Sequence, residues 1–222
     1  MNSREKIVEM SAVTLVTDSG YHIFRELNFT LLAGETALIT GSAGTGKTFL
    51  SELIIGRQKP NSGSITVFGQ NMLTGSEHQK AAIRRRIGGV GGIFDLLPFD
   101  SVGTNLLYPL ILKGESRTAC RLKLNQILAH FNFTARRSHM VAALTRSEKI
   151  KVLLARAIIA DQPLLLIDEP LDRLGTAAAE EINAILKRLS VSGHTMLILT
   201  TGQTSLAVPG AGEYRLSEGK LA

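Results

Sequence analysis

A short glycine-rich segment carries residue types that bind phosphate. Glycines let backbone N–H groups turn inward around phosphate oxygens, and the helix that follows adds the positive end of its dipole. Because an apolar stretch precedes the segment and a helical pattern follows it, the context favours a triphosphate site over an ordinary glycine turn. We expect Lys47 to reach the β- and γ-phosphates and the Thr48 hydroxyl to bind Mg²⁺. The segment consists of Gly41, Ser42, Ala43, Gly44, Thr45, Gly46, Lys47 and Thr48.

Two adjacent acids, Asp168 and Glu169, follow the apolar run 164–167. The C-terminal end of a buried strand is where a doubly wound sheet presents its functional groups. We expect Asp168 to hold Mg²⁺, directly or through water, and Glu169 to orient or polarise an attacking water. Capping of the next helix is the alternative role for such a pair. Together with the glycine-rich segment, the two acids predict a triphosphate site that holds Mg²⁺, with Lys47 and Glu169 as its catalytic residues.

The elements that position these residues follow from the pattern of apolar positions. Apolar runs alternate with helical periods, which is typical of an α/β fold. Strands are expected at 36–40, 64–68, 164–167 and 196–199. The last two are continuous apolar runs and are predicted to be central parallel strands buried on both faces. Helices are expected at 46–56 and between the last two strands, with a helix-rich region over about 88–149 and a closing hairpin at 214–220.

Composition narrows the class of protein. The 222 residues are enough for one sizeable core, and the single cysteine, Cys120, excludes an internal disulfide and fits a reducing cytoplasm. The charged N-terminus predicts no signal peptide, and the apolar runs are too short to cross a bilayer, so a membrane role would be peripheral.

The net charge of +6 is concentrated in the middle of the chain. Residues 79–151 contain 13 lysines and arginines against 4 acids. Such a region could face nucleic acid, an anionic membrane leaflet or only water. Too few aromatic residues are interleaved with the cations for a single-strand stacking platform, so no nucleic-acid partner is expected.

Taken with Leu144-Thr145-Arg146-Ser147-Glu148, which precedes Asp168, these segments resemble an ABC (ATP-binding cassette) nucleotide-binding subunit. The resemblance runs nearly from end to end. In residues 96–98 and 108–110 it is most similar to the lipoprotein-release and cell-division branch of the family. Other matching segments are 60–65, 105–106, 155–157 and 216–221.

The resemblance implies an α/β fold of the P-loop NTPase type. It would have a RecA-like core at about 1–88 and 150–222, an N-terminal antiparallel β-subdomain and an inserted helical subdomain at 89–149, all within a single domain, 1–222. It implies ATP and Mg²⁺ as cofactors, and a homodimer or heterodimer in which each site is completed by the partner's signature motif. Membrane-spanning permease subunits would dock near residues 91–109, on a protein that is cytoplasmic and peripheral on the inner face of the cell membrane.

The signature motif departs from the family's Leu-Ser-Gly-Gly-Gln or Leu-Ser-Gly-Gly-Glu. Its counterpart residues, expected to face the partner site, are Thr145, Arg146, Ser147 and Glu148. Thr145 and Glu148 keep the pattern of a helix-capping box. Arg146 and Ser147 add side chains where glycines allow close approach. Arg146 could compensate by its charge, but we expect it to obstruct.

Other motifs are also altered. A gapless register places Gly92 where the Q-loop glutamine belongs, and a shifted register offers Asp95. In place of the switch histidine, Thr201 is followed by Gly202 and Gln203; Gln203 can hydrogen-bond a phosphate but cannot titrate.

The D-loop and the adenine site lack firm matches as well. Gly175 stands where the D-loop has its acid, and Asp172 is not an obvious substitute. The gapless register puts Thr17 at the place of the aromatic residue that stacks on adenine, and Tyr21 is the nearest candidate.

Three hypotheses about function follow from these motifs. The chain is an active transport ATPase, an ATP-dependent binding module with slow or no hydrolysis, or one half of a mixed pair whose other subunit completes its site. The order of motifs along the chain argues against a small-molecule kinase. We expect clear Mg-ATP binding and weak hydrolysis by the chain alone.

Overall fold

A computed structural model describes residues 4–202 and 206–222 and shows the predicted mixed α/β fold, with two sheets and six α-helices among those residues. The strands are β1 (Lys6–Val16), β2 (His22–Leu32), β3 (Thr36–Thr40), β4 (Ser62–Val67), β5 (Gln70–Asn71), β6 (Ile87–Val90), β7 (Leu164–Asp168), β8 (Met196–Thr200), β9 (Gly212–Ser217) and β10 (Lys220–Leu221). The helices are α1 (Lys47–Ile54), α2 (Glu77–Arg85), α3 (Val102–Lys113), α4 (Arg117–His130), α5 (Arg146–Ile158) and α6 (Thr176–Val191). Short 3-10 helices lie at Thr134–Arg136 and Val141–Ala143.

The N-terminal sheet is antiparallel, with the order β2-β1-β4-β5. The antiparallel β-subdomain implied by the family resemblance is therefore present. Along β1 and β2 buried and exposed positions largely alternate, because one face covers the core and the other meets solvent.

The central sheet has the order β10-β9-β3-β8-β7-β6, and every pair in it is parallel except β9 with β10. Successive side chains of a strand point to opposite faces. Leu164 and Leu166 accordingly join the core beneath α1 and the antiparallel sheet, whereas Leu165 and Ile167 join the core formed with α5 and α6. All five residues of β7 and of β8 are buried, as predicted for central strands covered on both faces.

Element boundaries differ slightly from the sequence predictions. The strand expected at 64–68 is Ser62–Val67, because Phe68 adopts a left-handed φ of 49° that ends it. The helix expected at 46–56 is Lys47–Ile54. Strand β6 and helix α5 cross the proposed subdomain boundaries at 88/89 and 149/150, so those boundaries stay a prediction.

Among the described residues, no helix combines the length and the apolar composition needed to cross a bilayer.

Candidate functional site

The glycine-rich loop connects β3 to α1 and is confined on both sides. A side chain at Gly41 would meet the Leu216 carbonyl oxygen of β9 at 2.8 Å. Gly46 caps α1 with a φ of 99°, and a side chain there would come within 2.5 Å of Ile23 in β2. Only glycine combines this backbone conformation with so close an approach. The loop thus has a fixed shape at the C-terminal edge of the central sheet.

Lys47 is the first residue of α1, and its side chain is buried beneath the loop. Its Nζ donates hydrogen bonds to the carbonyl oxygens of Gly41, at 2.7 Å, and Ser42, at 3.1 Å. The same nitrogen lies 3.4 Å from Glu169 Oε1. Lys47 therefore links the loop to the carboxylate that follows β7.

Asp168 ends β7, and the Thr48 hydroxyl donates to its Oδ2 at 2.8 Å. Its Oδ1 is buried without a hydrogen-bond partner among the described residues. Burial raises the pKa of Asp168 and the neighbouring Glu169 carboxylate raises it further, while the Thr48 hydrogen bond and Lys47 act in the opposite direction. A buried carboxylate with a free oxygen, next to a hydroxyl, offers the hard oxygen ligands that Mg²⁺ prefers.

Glu169 points back toward the loop. Its backbone has a φ of 49°, and its Oε2 accepts a hydrogen bond from the Thr201 backbone amide at 3.0 Å. With Lys47 at the other carboxylate oxygen, the group is held from two sides. The Thr201 contact was missed from the sequence, because it depends on β7 and β8 lying side by side. Gln203, named above as a phosphate ligand, lies outside the described residues.

A cavity of about 430 Å³ opens beside these groups. Tyr21 lines it with 65% of its surface exposed, and Thr17 lines it as well, so both sequence candidates for the adenine contact lie at the cavity. Ile23 and Phe49, which sequence reasoning did not single out, add apolar surface. The remaining lining residues are Ala43, Gly44, Gly46, Lys47, Thr48, Glu169 and Thr201.

The glycine-rich loop, the buried lysine and the two carboxylates thus lie together, and comparison with known proteins gives the family of the chain. A family profile described as ABC transporter matches residues 24–172. The chain belongs to the ABC transporter family. It is an ATP-binding subunit of a membrane transporter complex, in a family of ATPases that couple ATP hydrolysis to transport.

Relatives of this ABC subunit include lipoprotein-release proteins, which confirms the similarity predicted from residues 96–98 and 108–110. The lipoprotein-releasing system ATP-binding protein LolD of Chromohalobacter salexigens is 32% identical over 88% of this chain and 83% of its own length. The macrolide export ATP-binding/permease protein MacB of Escherichia coli is 28% identical over 88% of this chain but only 31% of its own length. The dimeric structure of MJ0796, a bacterial ABC transporter cassette, superposes with a TM-score of 0.86 at 25% identity and covers 96% of each chain.

At the position that the gapless register assigns to the Q-loop glutamine, Gly92 offers only backbone atoms. Gly91 and Gly92 both have positive φ, and a side chain at Gly92 would lie 2.9 Å from the Cβ and Cγ atoms of Asp168. The turn therefore packs directly on the Asp168 carboxylate. Asp95, the alternative from the shifted register, accepts a hydrogen bond from the Leu96 amide instead.

The signature-like residues do not line the nucleotide cavity of their own chain. Thr145 caps α5 and forms both hydrogen bonds of a capping box with Glu148, which confirms that part of the sequence interpretation. The Thr145 backbone amide lowers the pKa of Glu148. Ser147 Oγ lies 3.3 Å from Thr145 Oγ1, within the same helix start. The Arg146 side chain extends to the turn after β7 and contacts Asp172, a pairing that the sequence did not reveal.

Proposed function

We propose that this chain binds Mg-ATP in the cavity bounded by residues 41–48 and by the carboxylates after β7. The observation that carries the proposal is the convergence of Lys47, Thr48 and Glu169 on one cavity wall, with a 3.4 Å contact between Lys47 and Glu169. Asp168 accepts the Thr48 hydrogen bond at 2.8 Å directly beside that wall. Adenine is proposed to lie on Tyr21, and the phosphates in the loop from Gly41 to Gly46.

Mg²⁺ is proposed to lie between Thr48 and Asp168. The unpartnered Oδ1 of Asp168 and the Thr48 hydroxyl fit such an ion. Within the described residues, no three His, Cys, Asp or Glu side chains are clustered so that they could hold a metal, which suits Mg²⁺ held in part by the nucleotide's phosphates. When bound, the ion neutralises charge on the phosphate oxygens.

We propose that the chain alone hydrolyses ATP slowly. In this proposal Glu169 orients a water and Lys47 stabilises phosphate charge, and their contact of 3.4 Å supports both roles. However, Gly92 supplies no side-chain donor, and Arg146 stands where the family has a glycine. Each missing donor near a developing charge costs about 10² to 10³ in rate, and such losses need not add. The alternatives are a fully active transport ATPase and a non-hydrolysing module paired with another subunit.

We propose that permease subunits dock on a second surface of the chain, at the inner face of the cell membrane. A groove of about 290 Å³ lies beside α3, with apolar side chains at Leu97, Tyr108 and Leu112 and cationic ones at Arg84 and Arg156. Phe99, two positions after Leu97, is 84% exposed. Exposed apolar side chains of this size are typical of interaction sites. The groove overlaps residues 91–109, where the permease contact is expected.

The test is calorimetry of the purified chain with Mg-ATP, followed by single-turnover hydrolysis. We expect saturable binding by the wild type. Lys47→Ala should weaken binding by about 100-fold or more, because the buried cation next to the phosphates is lost. The exposed lysine variant Lys59→Ala serves as the control and should bind like the wild type.

Absence of both binding heat and thermal protection at saturating Mg-ATP would refute the proposed function. Turnover of several ATP per second by a purified homodimer would contradict only the slow hydrolysis.

A further inference from the structure

Arg146 and Asp172 form a two-point contact between helix α5 and the turn after β7. Arg146 Nε donates to the Asp172 carbonyl oxygen at 2.8 Å, and one terminal nitrogen donates to Asp172 Oδ2 at 3.2 Å. A guanidinium that binds two acceptors of one residue fixes orientation as well as distance. Arg146 stands where the chain departs from its family's signature motif, and its charge is opposite to that of Asp172.

The helix end that carries Arg146 is itself anchored. The capping box of Thr145 and Glu148 fixes the start of α5, and Arg136 forms an ion pair with Glu148. The backbone of Arg146 is therefore fixed in position. Its side chain extends from there to the turn after β7 of the same chain.

The turn on the other side carries Glu169. The Asp172 amide donates to the Glu169 carbonyl oxygen at 3.3 Å, and Glu169 and Arg173 adopt φ values of 49° and 55°. Such left-handed conformations cost free energy and persist where surrounding contacts hold them. The Arg146 side chain provides such a contact from another element.

We propose that Arg146 is a positioning residue that acts within its own chain. By holding Asp172 it orders the turn 169–172 and keeps the Glu169 carboxylate between Lys47 and the Thr201 amide. This inference rests on the proposed function, since it assigns Arg146 a part in ATP turnover at the site of its own subunit.

The expected effect is modest, because the Arg146 and Asp172 side chains are 51% and 42% exposed. Exposed ion pairs contribute little to stability, but a charge-assisted bond to a backbone carbonyl adds to this one. Loss of the contact should therefore loosen the turn without unfolding the chain.

Hydrogen exchange of the nucleotide-free chain tests the contact itself. Arg146→Gln should raise exchange of the amides in 169–175 by about fivefold, and Asp172→Asn by less, because the carbonyl contact remains. The double variant should exchange no faster than Arg146→Gln alone. The matched control is Arg173→Gln, which removes a cation 3.5 Å from the same carboxylate but bridges no second element, and it should leave the exchange unchanged. Additive effects, or an equal effect of Arg173→Gln, would overturn the proposal.

Single-turnover hydrolysis tests the catalytic consequence. Arg146→Gln should lower the rate constant about tenfold while the apparent affinity for Mg-ATP changes less than twofold, because the nucleotide contacts are untouched. Arg146→Lys should recover part of the rate. A loss of affinity in place of rate would contradict the positioning role.

Mixed dimers with Lys47→Ala chains locate the effect. Hydrolysis by the mixed dimer should be slow when Arg146→Gln lies in the chain that retains Lys47. It should be unchanged when Arg146→Gln lies in the Lys47→Ala chain. If the slow rate follows the opposite chain, Arg146 acts on the partner and the inference is wrong. If no ATP-dependent dimer forms, a slower rate in the isolated Arg146→Gln chain supports action within one chain, and an unchanged rate refutes it. A wild type that binds no Mg-ATP refutes the proposed function, and the exchange measurements then decide the Arg146 contact separately.

Discussion

At the scale of single residues, the buried carboxyl group of Asp168 lowers the stability of the nucleotide-free chain, yet the proposed Mg²⁺ site requires it. Only 3% of its surface is exposed, and burial raises its pKa above the ordinary value of 3.8. A carboxyl with a higher pKa in the folded chain binds its proton more tightly there than in the unfolded chain. Its favourable contribution to folding is therefore complete below the unfolded pKa and is lost as the pH rises through the folded pKa. At neutral pH the charged form destabilises the nucleotide-free chain.

We expect Asp168→Asn to stabilise the nucleotide-free chain, because the amide keeps an acceptor for Thr48 without a buried charge. The melting temperature at pH 7 should rise by roughly 2–4 °C, the shift that about 1 kcal/mol produces in a chain of this size. The difference from the wild type should shrink as the pH is lowered toward 4. Scanning calorimetry across that pH range measures both, and the stabilisation by Mg-ATP should disappear in the variant. A lower melting temperature of the variant at pH 7 would contradict the argument.

Gly92 gives a second prediction at this scale. Restoring a glutamine with Gly92→Gln should not restore a sensor, because the side chain would collide with Asp168 and the φ of 56° disfavours it. Gly114→Gln is the matched control, since Gly114 has a φ of 81° and open space around it. We expect Gly114→Gln to cost about 1 kcal/mol and 2–4 °C, and Gly92→Gln at least twice as much, with loss of Mg-ATP binding. Equal losses in the two variants would show that the contact with Asp168 is unimportant.

At the scale of elements, α5 connects the signature-like residues to the core. Its first turn carries the capping box, and farther along, Arg156 donates to the Asp95 carbonyl oxygen at 2.7 Å while burial lowers the pKa of its guanidinium. The helix also lies so close to β6 that a side chain at Gly88 would collide with the Ala157 carbonyl. The position of α5 is thus set along its length.

Thr145→Ala should weaken the start of α5. Removal of an N-cap side chain costs about 1 kcal/mol, which corresponds to roughly 2–4 °C in melting temperature. The control is Thr118→Ala, at an exposed position within α4, where alanine favours the helix and no loss is expected. If both variants melt alike, the capping box does not stabilise this helix in solution.

The sequence predicted elements and contiguous motifs well for a physical reason. Leu164–Ile167 must be buried on both faces, and the loop 41–48 acts through its own backbone, so each can be recognised without knowing the fold. The Arg146 pair is different, because its partner lies 26 positions away on a turn whose place depends on β7 and α5 together. The predicted obstruction by Arg146 considered only its size, whereas the structure turns the side chain toward Asp172.

At the scale of the whole molecule, 7 of the 13 cations in residues 79–151 lie within 4 Å of a carboxylate, Arg136 and Arg146 among them. Arg84 and Lys80 face Glu77, Lys113 and Lys123 face Asp161 and Glu115, and Lys151 faces Glu181. Within the described residues, no carboxylate lies within 4 Å of the other six cations, which are Arg85, Arg86, Arg117, Arg121, Arg137 and Lys149. The cations available to an anionic membrane surface are therefore fewer than the composition indicates.

Association into a dimer is the prediction that belongs to this scale. Because Arg146 is held against Asp172, we expect the surfaces of two chains to close on ATP. Glu169→Gln, which slows hydrolysis while preserving shape, should then elute as an ATP-dependent dimer in size-exclusion chromatography. Adding Lys47→Ala to the same chain should abolish the dimer. A monomer at saturating Mg-ATP would instead favour pairing with a different subunit.

The central sheet ends in β6 on one side and β10 on the other, and these strands have 4 and 2 residues. Both edge strands are too short to pair stably with a strand of another molecule. Short edge strands are one way in which natural sheets avoid edge-to-edge aggregation. Although its middle strands are among the most apolar in the chain, this sheet should contribute little to fibril formation when the protein is concentrated.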